Sequence, residues 1–386
     1  MPQTTELSAR GLLEEARAQT GLTDTGAPAF TDTLQTLIAS CEQTAALNDT
    51  GWSVLAKSTR RHLRNRLSLQ AALRANPSLA RAGIRGPIVI TGLPRTGTTL
   101  LHHLLALDPA HRVLRGWEAL HPVPPAAGGP SEASLVEQAE SWLAGLYRLV
   151  PGFEAIHAAT AHSPEECDPL FRNTFAGWHF EIMFDARAYS AWLARADLTA
   201  EYADYATQLR VLAGADETEA TWVVKWPGHL GHLDALLATF PDAIVVHCHR
   251  HPREAIPSFA SLVRTVREAY SDAVSPAAIG PQWLSRWAAA TDRALRAREA
   301  APERFVDVAY HALAADPVAE VRGVYQRLGR SLDPAAEDRM RAWLADNPRH
   351  KHGVHRYRLE QFGLSEDGVQ GAFSEYLRHF FAEVAA

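Results

Sequence analysis

The sequence predicts an α/β fold: a central, mainly parallel sheet of four or five strands, helices on both faces, and a helical arm ahead of it. Three observations carry this expectation. Short β-branched runs recur at residues 88–90, 221–225, 243–249 and 305–308, and each is followed by a helical pattern. The first run passes through a glycine-rich loop, 92–99, directly into an apolar helix, the order that builds parallel strand–helix units. Three helical patterns fill residues 7–75 with no strand between them, so the sheet begins only afterwards.

Taken in order, residues 7–20, 31–47 and 52–75 are the three helices of the arm, which occupies residues 1–80; the α/β domain takes residues 81–386. The third helix is strongly basic, with Lys57, Arg60, Arg61, Arg64 and Arg66. Such a run reads first as a solvated face or a subunit contact that would pair two copies into a homodimer, and second as a contact to substrate or nucleic acid.

Residues 88–90 are a buried strand bounded by Gly86-Pro87, and Asp108-Pro109 stops the helix that follows the loop. Strand, glycine loop and helix together make a phosphate cradle, because the loop and first-turn N–H groups face one anion and the helix dipole adds to them. A nucleoside-triphosphatase loop is G-x-x-x-x-G-K-[ST]. Here the frame is Gly92 to Gly97 followed by Thr98 and Thr99, so threonine stands at the lysine position and the cation, Arg95, has moved inside the loop. A planar guanidinium suits a terminal oxyanion better than a metal-bridged triphosphate.

At 386 residues the chain is long enough to bury a sizeable core. Its formal charge of −6 argues against nucleic-acid binding through bulk charge, so an anionic ligand needs a local cationic cluster. Cys41, Cys167 and Cys248 are few and widely spaced, which fits a reducing compartment and a cytoplasmic protein. No apolar run reaches membrane-spanning length.

The stretch GLPRTGTTLL resembles the 5′-phosphosulfate loop of sulfotransferases that use 3′-phosphoadenosine 5′-phosphosulfate (PAPS), and most closely the bacterial branch related to tyrosylprotein sulfotransferases. The resemblance runs from about residue 88 to the C-terminus. It implies PAPS as donor, PAP as product, and a small hydroxylated acceptor. It also implies that Arg95, Thr96, Gly97, Thr98 and Thr99 bind the donor's 5′ end.

The remaining segments are assigned in that light. Residues 112–125 carry prolines at 122, 124 and 125 that force extended backbone, so the segment is expected to run across the mouth of the site. Within it, Trp117-Glu118 matches the family's W-E, which makes Glu118 a candidate general base; the alternative is a carboxylate that pairs with Arg95 or Arg115. Residues 151–169 gather His157, His162, Glu165, Glu166 and Cys167, but their spacing fits no tetrahedral metal site and no metal is expected. The readings that stand are a capping box from Ser163 to Glu166 and a wall of the acceptor site. Residues 171–193 are rich in aromatics that belong mostly to the core.

Lys225 ends the strand at 221–225, where parallel sheets place ligands. Residues 225–230 resemble the family's K-[ST]-P-x-H-L, with Trp226 replacing the small hydroxyl residue. This makes Lys225 a ligand to the bridging oxygen and His229, opening a helix over 230–240, a second base candidate; the alternative is a helix-end imidazole that only hydrogen-bonds. Arg250, at the end of the strand 243–249, and Ser258, eight residues on, resemble the family's pair for the donor's 3′-phosphate. Strand alternation splits His247, Cys248, His249 and His251 between two faces, against a metal cluster. The tail 349–364 resembles H-x-Y-x-L-x-x-F-G-L and is expected to fold partly over the nucleotide, with Lys351 and His352 as candidates. The competing readings are a kinase of a small hydroxylated substrate, which the absent loop lysine disfavours, and a nucleotide-dependent scaffold without turnover.

Overall fold

The computed structural model describes residues 7–27, 29–125, 129–214, 220–348 and 357–381. Five strands form one sheet: β1 (Ile88–Gly92), β2 (His111–Val113), β3 (Thr221–Lys225), β4 (Ile244–His249) and β5 (Phe305–Ala309). Their order is β2-β3-β1-β4-β5, and every neighbouring pair is parallel. The chain therefore builds one side of β1 and then crosses to the other, which puts a topological switch beside the C-terminal end of β1. Ile90 pairs with Lys225 and Gly92 with Cys248, so the loop after β1, Lys225 and the end of β4 share one edge.

Side-chain alternation divides the core. Ile88 and Ile90 point into a cluster with Leu101, Val246 and Val308, whereas Val89 points into a larger one with Val224 and Val245. That larger cluster also takes in Leu34, Leu37, Leu63 and Leu67. These come from helices α1 (Ala9–Thr20), α2 (Thr31–Thr44) and α3 (Asp49–Ala75), of which α2 and α3 supply the four leucines. The N-terminal helices thus belong to the same apolar core as Val89, Val224 and Val245 of the sheet. Asn48 starts α3 by accepting the Gly51 N–H at 2.9 Å.

Other expectations need correction. Residues 112–125 are not simply extended: they contribute part of β2 and helix α5 (Gly116–Leu120), while helix α4 (Thr98–Leu105) follows the loop. β2 has only three residues, His-Arg-Val, too few for a period to show. The helix expected at 230–240 is a 3₁₀ turn, Pro227–Gly231, and then a shorter helix, Leu233–Thr239. No capping box forms at Ser163, whose hydroxyl bonds back to Thr160. Among the described residues no helix is long and apolar enough to cross a membrane.

Candidate functional site

The loop between β1 and α4 is shaped by three residues with positive φ. Gly92 has φ +148° and Gly97 +86°, and Arg95 itself is left-handed at +69°. A Cβ on Gly92 would lie 2.3 Å from the Cys248 carbonyl oxygen, so glycine is required by the neighbouring strand. The Thr96 hydroxyl closes the turn onto the Leu93 carbonyl at 2.7 Å. The Thr91 hydroxyl, at the end of β1, donates to the Trp226 carbonyl at 3.0 Å.

This conformation brings the cationic residues expected from the sequence together. Arg250 Nη1 donates to the Arg95 carbonyl at 2.9 Å, and Arg95 Nε reaches Ser258 Oγ at 3.4 Å. Ser258 lies on the helix Pro252–Glu268, which starts just beyond Arg250. The Arg250 guanidinium sits 4.1 Å above the Tyr310 ring and also pairs with Glu254. From the other side of β1, buried Lys225 donates to Thr99 Oγ1 at 3.4 Å and to Glu166 Oε1 at 2.5 Å. Lysine thus returns to the loop's first helical turn from β3. Lys351 and His352 lie outside the described residues.

A cavity of about 630 Å³ opens beside the loop, with Pro94, Arg95, Thr98 and Thr99 in its wall. Its apolar lining includes Trp142, Trp178, Ile182, Met183 and Phe259. Part of the basic face of α3, Lys57, Arg61 and Arg64, also lines it, while Arg60 turns away to Glu15 and Arg66 is buried. The solvated-face reading therefore fits only some of that run.

Neither base candidate from the sequence faces this cavity. Glu118 is buried at the start of α5, where Arg112 grips both carboxylate oxygens and the Arg115 N–H donates at 2.9 Å. Its partner is Arg112, neither Arg95 nor the Arg115 side chain. His229 is fully buried among Phe171, Tyr205 and Trp226, with Nδ1 2.8 Å from the Tyr202 hydroxyl. Burial, and then the charge of His232, lower its pKa to about 3, so it is a neutral core imidazole.

The cavity wall near the loop instead carries His157, Glu165, Glu166 and Asp168. Backbone bonds put this segment there: Cys167 N–H donates to the Lys225 carbonyl at 3.0 Å, and Glu165 N–H to the Leu114 carbonyl at 2.8 Å. Burial opposes the charge of Glu165. His157 at 3.7 Å, the Glu166 N–H and Lys225 outweigh it and hold the carboxyl down at about 2. Asp168 goes the other way: burial pushes it up to about 7 despite Arg172, whose Nε is 2.7 Å away. The sequence signal for these residues was their clustering, but not which of them would meet Lys225.

His247 and His249 share one face of β4, as alternation requires, and lie with Asp307 closely enough that their ligand atoms are within 4.8 Å. Both Asp307 oxygens accept from Arg298 at 2.6 Å, and His249 also contacts the Tyr376 hydroxyl at 3.0 Å. Asp307 is thus held by Arg298 and His249, whereas the buried His247 Nε2 makes no hydrogen bond.

Residues 87–334 match the model of a sulfotransferase family. The omega-hydroxy-beta-dihydromenaquinone-9 sulfotransferase Stf3 of Mycobacterium bovis is 24% identical over 288 residues, covering 73% of this chain and 72% of that protein. The crystal structure of sulfotransferase STF1 from Mycobacterium tuberculosis superposes with a TM-score of 0.83 at 31% identity, covering 97% of this chain and 100% of the other. That of sulfotransferase STF9 from Mycobacterium avium gives 0.85 at 28% identity, over 99% and 98%.

Proposed function

This chain belongs to the sulfotransferase family and is an enzyme that transfers sulfate, and we propose that its donor is PAPS and its acceptor a hydroxyl on a small molecule with a large apolar surface. The observation that carries the donor assignment is the meeting of Arg95, Arg250 and Ser258 within hydrogen-bond distance. A donor with phosphates at both ends of one ribose needs two anion grips side by side. The loop amides and Arg95 suit the 5′ end, and Arg250 with Ser258 the 3′-phosphate. No glycine in this loop has room for a side chain where the backbone must approach an anion: a Cβ at Gly92 meets Cys248 and one at Gly97 meets Leu313. A kinase's donor has no 3′-phosphate for Arg250 and Ser258 to hold.

In the reaction so proposed, the bond from sulfur to the 5′-phosphate oxygen breaks and a bond from sulfur to the acceptor oxygen forms. PAP leaves with the electron pair. Arg95, Lys225 and the Gly97–Thr99 amides would bear the charge that grows on the leaving oxygen. The acceptor proton must go to a group at the cavity wall, and we assign it to Glu166, whose Lys225 partner already contacts Thr99. A donor phosphate gives Lys225 a second anion and frees Glu166 to act. Arg250→Ala is expected to lose PAP affinity while Glu166→Gln keeps it and loses turnover; that pair of titrations and rates tests the assignment.

The acceptor class rests on the apolar lining of the cavity and on the lipid named for the mycobacterial relative. Trp142 and Leu149, each 37% exposed on the helix Glu132–Leu149 that lines the cavity, extend the apolar surface outward. Three buried cysteines, none in a disulfide, support a reducing, cytoplasmic setting. We assign the arm of residues 1–80 to the acceptor side, because α3 supplies cavity wall.

A further inference from the structure

Arg61 lies on α3, in the wall of the cavity read above as the acceptor site. Its guanidinium carbon is 5.1 Å from the centre of the Trp142 ring. Its Nε is buried and makes no hydrogen bond, and among the described residues no carboxylate is within ion-pairing distance. The other arginines of this wall are served differently. Arg172 has Asp168 at 2.7 Å, Arg64 reaches Gln19 at 3.1 Å and Arg95 reaches Ser258 at 3.4 Å.

The surroundings of Arg61 are cationic. Burial, then Arg172 and Arg64, bring its pKa down to about 9. Its charge also disfavours protonation of neighbouring His62, His121 and His179, whose pKa values burial lowers first. A half-buried cation among like charges, with only an aromatic face beneath it, is destabilised unless an anion joins it.

We propose that Arg61 binds an anionic oxygen group on the acceptor, a carboxylate or a phosphate, so that the acceptor is an amphiphile with an apolar body, a hydroxyl directed to the loop and an acidic group directed to α3. This rests on the cavity being the acceptor site. The guanidinium over Trp142 can make a bidentate contact, which lysine would not make equally well.

The test is calorimetric titration of the protein, with PAP present, using omega-hydroxydodecanoate, its methyl ester and dodecyl phosphate. Both acids are expected to bind about tenfold or more tighter than the ester, the size of a charge-assisted contact. Arg61→Ala is expected to abolish that difference while PAP affinity is unchanged. The tighter of the two acids identifies whether the site prefers a carboxylate or a phosphate. Equal affinity of acids and ester for the wild type overturns the proposal, as does a preference that survives in Arg61→Ala. If Arg61→Ala does not fold, Arg61→Gln carries the same expectation. Loss of PAP binding by the wild type would fail the donor assignment alone, since the acid–ester comparison is also read without PAP.

Discussion

Arg250 donates from Nη1 to the backbone carbonyl of Arg95 at 2.9 Å, joining the end of β4 to the loop after β1 across 155 residues of sequence. The bond falls on the residue with left-handed backbone, φ +69°, and so supports a conformation that a non-glycine residue adopts at a cost. One arginine thereby shapes the loop, and the same arginine is the one proposed to hold the donor's 3′-phosphate.

Glu166 and Glu118 should respond differently to the same change. Glu166→Gln is expected to lower kcat by about 10²–10⁴-fold, the range for a positioned general base, with PAP affinity kept. Glu118→Gln removes the bidentate Arg112 contact and should lower stability by roughly 1–3 kcal/mol, with turnover of the folded fraction unchanged. Rates and denaturant unfolding on both variants decide it. A catalytic loss confined to Glu118→Gln would restore that residue as the base.

Gly92→Ala should destabilise the fold by roughly 2–4 kcal/mol. Its φ is +148° and the added Cβ would meet the Cys248 carbonyl oxygen at 2.3 Å, on a strand that cannot withdraw without breaking its pairing with β1. Thermal melting measures it, and an unchanged melting temperature would mean that the loop is built differently.

Acid should unfold this protein early. Burial first, then charged neighbours, bring His229 and His232 to about 3 and His103 to about 4. All three lie below the unfolded value of 6.5, so the unfolded chain takes up protons first. Their contribution is present above about pH 6.5 and is lost as pH falls through the folded values, at up to about 1.4 kcal/mol per pH unit for each histidine. Asp168 has the opposite sign. Its pKa is raised to about 7, so its contribution is present at low pH and lost as pH rises through 7. Urea midpoints between about pH 7.5 and pH 5.5 should therefore fall, and fall more steeply in Asp168→Asn. A shallower fall in that variant contradicts the burial of Asp168.

What could be read from the sequence was local. The cradle is one continuous strand–loop–helix segment, and Arg250 and Ser258 are fixed to each other by a strand end and the helix that follows. Sheet order placed the two groups side by side once β1 and β4 were neighbours. The proposed base was not local. Glu118 is withdrawn by Arg112, His229 by Tyr202, and Glu166 is delivered to Lys225 by a backbone bond from Cys167. Those contacts depend on how β2 and the segment around residue 165 pack. β2 itself, at three residues, carries no period to read. Likewise, the basic run on α3 is one stripe in sequence but divides among solvent, core and cavity once the helix is packed.

The most direct measurement is calorimetric titration of the protein with PAP, beside ATP with magnesium, and then of Arg250→Ala with PAP. PAP is expected to bind, ATP with magnesium not to bind, and Arg250→Ala to lose about tenfold or more in PAP affinity, as expected for one charge-assisted contact. ATP binding that depends on magnesium, or PAP binding indifferent to Arg250, would contradict the assignment of this edge of the sheet to PAPS.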